Sequence, residues 1–108
     1  MWLTSPYVEV GRALAEDYAS NAETNRRERM DRLNGLIREA GRLRQEDMRV
    51  VELAERLGRE PGGELDPALR PDGAHFLRAP TLALTEAWLG ELVMDAYREL
   101  RPDRAAAR

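Results

Sequence analysis

Apolar residues recur at helical spacing in two long stretches of the chain. From about Ala22 to Arg44, Met30, Leu33, Ile37 and Ala40 follow one another at three- and four-residue intervals, and Leu36 and Leu43 widen the stripe. That period predicts an amphipathic helix laid along a core. From about Pro80 to Leu100, Leu84, Trp88, Leu92, Ala96 and Leu100 recur at period four, with Leu89 and Val93 beside them. A second amphipathic helix is expected here, with proline near its start, where a missing N–H costs little. At this spacing Trp88 reads as core packing rather than a ligand-stacking ring, and Trp2 reads as strand packing.

The remaining apolar runs are short. Trp2-Leu3-Thr4 favours β structure and is closed by Ser5-Pro6, because proline disfavours helix in the residue before it. Val50-Val51, inside Met48 to Leu53, suits a buried strand. Ala54 to Leu57 adds a helical turn before Gly58. Arg59 to Pro71, with Pro61, Gly62, Gly63, Pro67 and Pro71, reads as a loop. Tyr7 to Asn21 is ambiguous, with a short helix expected around Arg12 to Tyr18, and residues 102–108 read as a frayed tail after a single unit spanning 1–101. The order strand, helix, strand, loop, helix indicates an α/β layer with a parallel sheet. Two strands make a narrow sheet with exposed edges, so the pattern looks like half a domain.

Composition narrows the function classes. The chain of 108 residues carries a formal charge of −3 with both signs interspersed, which gives no strong field for nucleic acid or anionic lipid. Glu23 with Arg27 and Glu28 with Arg32 stand in the acid-first i,i+4 order that supports a helix. The cluster Arg26, Arg27, Arg29 and Arg32 is therefore expected to be a solvated helix face rather than a phosphate site. All 17 basic residues are arginine, so Schiff-base and Ser–Lys chemistry are absent. With no cysteine and one histidine, neither a disulfide framework nor a zinc site is expected, and no cofactor is implied. No apolar run approaches the roughly 20 residues of a membrane helix, and no signal-peptide pattern is visible. The expectation is a soluble chain without an address, cytoplasmic by default.

That single histidine stands three residues after an aspartate, in Asp72-Gly73-Ala74-His75. A carboxylate bonded to one imidazole nitrogen fixes the tautomer and leaves the other nitrogen to take a proton. Gly73 allows the turn that brings both side chains together. On spacing alone, a surface or structural histidine is the commoner arrangement.

The surroundings carry more. The run Leu69-Arg70-Pro71-Asp72-Gly73-Ala74-His75-Phe76, followed by a helix containing Ala87-Trp88-Leu89, resembles the last conserved block of the SGNH (GDSL-type) hydrolase superfamily. The closest likeness is to bacterial members related to the C-terminal domains of membrane O-acyltransferases. It extends backwards in order: Val50-Val51-Glu52-Leu53 is similar to the penultimate strand and Arg29 to Ala40, with Leu33-Asn34, to the helix before it. Trp2 to Pro6 is similar to the strand and loop after the third block. Three departures stand out: Leu77 to Thr81 intervene where a Ser/Thr cap and glycine are usual, Ala74 replaces a larger aliphatic residue, and Glu52 stands where Asp is common.

The resemblance implies the C-terminal part of a three-layer α/β/α, flavodoxin-like sandwich that cleaves or transfers acyl esters through a serine acyl-enzyme. It makes His75 the general base and Asp72 the residue that orients it. The serine, oxyanion-glycine and asparagine blocks lie upstream of the matching region. Ser5, Ser20 and Thr85 lack the context to replace the serine, and Glu9 and Glu52 read as surface or loop acids. The expected partner is an ester or acylated small-molecule or glycan substrate, once the serine-bearing half is supplied from upstream of Met1. The competing expectation is a non-catalytic α/β or helical interaction module, homo-oligomeric through its open sheet edge.

Overall fold

Trp2–Leu3 (β1) and Val50–Val51 (β2) lie side by side as parallel strands, Trp2 opposite Val50 and Leu3 opposite Val51. They belong to a helix-rich α/β protein whose computed structural model describes residues 1–9 and 25–101. The expected short helix at Arg12 to Tyr18, the start of the first long helix at Ala22, the Glu23–Arg27 pair, Ser20 and the tail 102–108 lie outside the described residues.

Parallel strands need a crossover, and helix α1 (Arg27–Leu43) provides it. Its C-terminal half comes close to β2 at Gly41, where a Cβ would stand 2.5 Å from Val50 Cγ2. The buried face keeps Met30 and Ile37 of the expected stripe, with Ala40 half-buried, but is rotated away from the leucines. Met30, Asn34 and Ile37 are buried, while Leu33, Leu36 and Leu43 are exposed, Leu36 at 61%. Asn34 turns inward because its amide bonds Ser5, and on a helix that choice carries Met30 and Ile37 with it. The leucines then fall on the flank. Nor do Glu28 and Arg32 pair; ion pairs of this helix among the described residues include Arg42–Glu39 and, across to Glu52 after β2, Arg38–Glu52. Arg26, Arg27, Arg29 and Arg32 are exposed, as a solvated face should be.

After β2 the short helix α2 (Leu53–Gly58) buries Ala54 and Leu57, Leu57 to 1% exposure. Its first turn is capped from a distance: the fully buried Thr4 hydroxyl accepts from Ala54 N–H at 3.1 Å. The expected loop follows from Arg59 to Pro71. The terminal helix starts at Arg78, two residues before the expected proline, and runs as α3 (Arg78–Leu84), a π-helical turn (Thr85–Leu89) and α4 (Gly90–Leu100). In the π turn Gly90 N–H reaches back to Thr85 C=O. One inserted residue rotates everything after it by about a quarter turn, so the period-four stripe does not form one buried line. Ala96 is buried, Leu84, Trp88, Leu89, Val93 and Leu100 are half-buried, and Leu92 is exposed. Trp88 packs against the Arg56 guanidinium, 5.6 Å from the ring centroid.

β1 differs from expectation on its outer side. Trp2 and Thr4 N–H donate to Arg49 and Val51 C=O, so by strand alternation the backbone groups of Leu3 face away from β2. Trp2 is 59% exposed and so is not the packing residue the sequence suggests. No helix among the described residues is long and apolar enough to cross a membrane.

Candidate functional site

Asp72 and His75 meet. Arg70-Pro71-Asp72-Gly73 forms a β-turn closed by Gly73 N–H to Arg70 C=O at 2.9 Å, with proline at the position whose φ the turn requires. Gly73 then takes φ +75°. Asp72 Oδ1 accepts from Ala74 N–H at 2.8 Å and from His75 N–H at 2.7 Å. Its other oxygen, Oδ2, lies 2.5 Å from His75 Nδ1.

Three hydrogen bonds to one carboxylate stabilise its ionised form. The His75 bond contributes most and the Ala74 and His75 N–H groups next, and together they hold the Asp72 carboxyl down at about 2. An ionised carboxylate can only accept, so Nδ1 carries the hydrogen of the pair. The neutral imidazole therefore keeps its lone pair on Nε2, which has no partner among the described residues. His75 is well placed to use it, with 78% of its side chain exposed. Phe76 and Leu77 extend an exposed apolar rim beside it.

The turn is anchored at several points. Leu77 N–H to Leu69 C=O, at 2.9 Å, pinches the base of the loop. Gly73 C=O accepts from Glu9 N–H at 3.0 Å, tying the turn to the segment after β1. That segment is held on α1, where Asn34 Oδ1 accepts from Ser5 N–H at 2.7 Å and Asn34 Nδ2 donates to Ser5 C=O at 2.8 Å. Tyr7 adds a hydroxyl bond to Asp31 at 2.5 Å, and its ring stands 4.7 Å from the Arg27 guanidinium. The hydroxyl proton is held by Asp31, which pushes the Tyr7 phenol above its ordinary range.

Sequence reasoning left one member of this arrangement unassigned. Arg70 is 1% exposed. Its Nε–H donates to Ala74 C=O at 3.1 Å and its Nη1 to Tyr7 C=O at 2.5 Å and Glu64 C=O at 2.8 Å. The guanidinium lies 4.9 Å from the Phe76 ring centroid. Its only signal in the sequence was its place in Leu69 to Phe76, because nothing in one dimension marks an arginine as buried.

Among the other candidates, Glu9 meets the turn through its backbone N–H, while Ser5, Thr85 and Glu52 bond to other groups. Ser5 is fixed through its backbone by Asn34, and its Oγ is oriented to Pro6 C=O. Thr85 Oγ1 donates to Thr81 C=O within the helix. Glu52 is held below its usual range by the Arg38 guanidinium, with the Thr4 hydroxyl assisting, and Glu9 is an exposed loop residue. No cluster of His, Asp and Glu among the described residues could hold a metal ion. No family model, curated protein or solved structure matches the chain.

Proposed function

We propose that this chain is the Asp–His-bearing portion of an SGNH-type ester hydrolase or O-acyltransferase domain, within a three-layer flavodoxin-like sandwich. The observation that carries the reading is the Asp72 Oδ2–His75 Nδ1 contact of 2.5 Å, beside an exposed Nε2 that has no partner among the described residues. In this role Nε2 takes the proton of a serine hydroxyl as its oxygen attacks the ester carbonyl. His75 then returns that proton to the departing alcohol, and Asp72 stabilises the imidazolium between the two steps. The serine and the oxyanion donors come from the complementary portion of the domain. The edge of β1 that is unpaired among the described residues and the exposed Leu33, Leu36 and Leu43 offer a sheet edge and an apolar helix flank for it.

The test joins this chain to a portion carrying the Gly-Asp-Ser, oxyanion-glycine and asparagine blocks and follows hydrolysis of an aryl acetate. His75→Ala and Asp72→Ala are each expected to lower kcat by about 10²–10⁴-fold. A rate unchanged by His75→Ala removes the histidine from the role of base.

The same exposed edge favours a second reading, a non-catalytic module that pairs with its own copy. A defined dimer of the 108-residue chain, with a cooperative melt and no turnover in the joined form, would select it.

A further inference from the structure

A guanidinium removed from water is strongly disfavoured unless its N–H groups are satisfied. Arg70, at 1% exposure, donates among the described residues to the backbone carbonyls of Tyr7 after β1, of Glu64 earlier in its own loop, and of Ala74 in the turn that follows. These contacts bracket the histidine. Ala74, on one side of His75, has its carbonyl tied to Nε; Phe76, on the other, stacks its ring on the guanidinium at 4.9 Å. The peptide from 74 to 76 is thereby held at both ends against a buried group, while the His75 side chain projects outward.

We propose that Arg70 is the positioning residue of the Asp72–His75 pair, fixing the backbone on both sides of His75 so that Nδ1 meets the Asp72 carboxylate. The proposal rests on the reading of that pair as the acid–base half of an ester-cleaving site. Its geometric content can be tested without any turnover. The planar fork distributes donors in fixed directions to separate carbonyls, and a lysine ammonium cannot reproduce that spread.

The experiment compares Arg70→Met and Arg70→Lys with the parent by ¹⁵N-edited NMR of the histidine ring, with amide exchange at Met30, Ile37 and Val51 as the measure of an intact core. The parent is expected to show a single Nδ1–H tautomer. Both variants are expected to keep core protection and lose that signature to a mixture of tautomers, Lys less completely than Met. In the joined enzyme Arg70→Lys is expected to lower kcat by about 10²-fold with KM unchanged. A retained Nδ1–H signature in a folded Arg70→Met chain overturns the proposal. Should Arg70→Met unfold, Arg70→Lys decides by the same signature; unfolding of both also overturns it, since Arg70 would then serve the whole fold. A lost signature with no turnover in any joined form upholds the positioning role and sinks the ester-hydrolase reading instead.

Discussion

Asn34 and Ser5 are joined by a reciprocal pair of hydrogen bonds, the amide oxygen accepting from Ser5 N–H at 2.7 Å and the amide nitrogen donating to Ser5 C=O at 2.8 Å. A side chain thus satisfies a backbone segment that has just left its strand. Asn34→Leu strips both partners from buried or half-buried groups and is expected to destabilise the chain by about 2–4 kcal/mol. A shift in the urea midpoint checks this, and an unchanged midpoint would mean that water replaces the amide.

Gly73 meets two constraints at once. Its φ of +75° disfavours any side chain, and a Cβ there would stand 2.6 Å from Glu9 C=O. Gly73→Ala is expected to cost about 1–3 kcal/mol and to separate Glu9 from the turn. Denaturant unfolding reads the first effect, and faster exchange of the Glu9 amide reads the second.

The Asp72 carboxyl, held down at about 2 chiefly by the His75 bond, titrates below its ordinary 3.8. Its folded value is the lower one, so its contribution to stability is fully present above the ordinary carboxylate range. It is lost as pH falls through about 2. A ¹³C titration of the Asp72 carboxyl should show a midpoint well under that of an unstructured aspartate. A midpoint at or above 3.8 would mean that the three hydrogen bonds do not persist in solution.

Leu57 and Leu36 look alike in sequence but differ in burial, at 1% and 61% exposed. Leu57→Ala is expected to destabilise by about 2–5 kcal/mol, and Leu36→Ala to change stability by less than about 0.5 kcal/mol. Chemical unfolding at low protein concentration separates the two. A large loss at Leu36 under those conditions would place that flank in the core of the chain.

The sequence by itself determined the order of elements, the parallel pairing of two short strands, the loop before the aspartate and a turn with Gly73 inside it. These follow from local physics: period, β-branching, and the fixed or permissive backbone angles of proline and glycine. The spacing of Asp72 and His75 allowed the pair without requiring it, and the turn bonds of the Asp72 carboxylate are what bring the two side chains together. Only the tertiary structure decided which face of α1 is buried. Met30 with Asn34 and Leu33 with Leu36 fit the same period, and the choice was made by Ser5, 29 residues away in the chain. The π turn at Thr85–Leu89 likewise rotated a regular stripe out of line. The burial of Arg70 drew on the Tyr7 carbonyl, 63 residues away in the chain, as well as on the nearby Glu64 and Ala74 carbonyls, and no pattern along one segment encodes the remote partner.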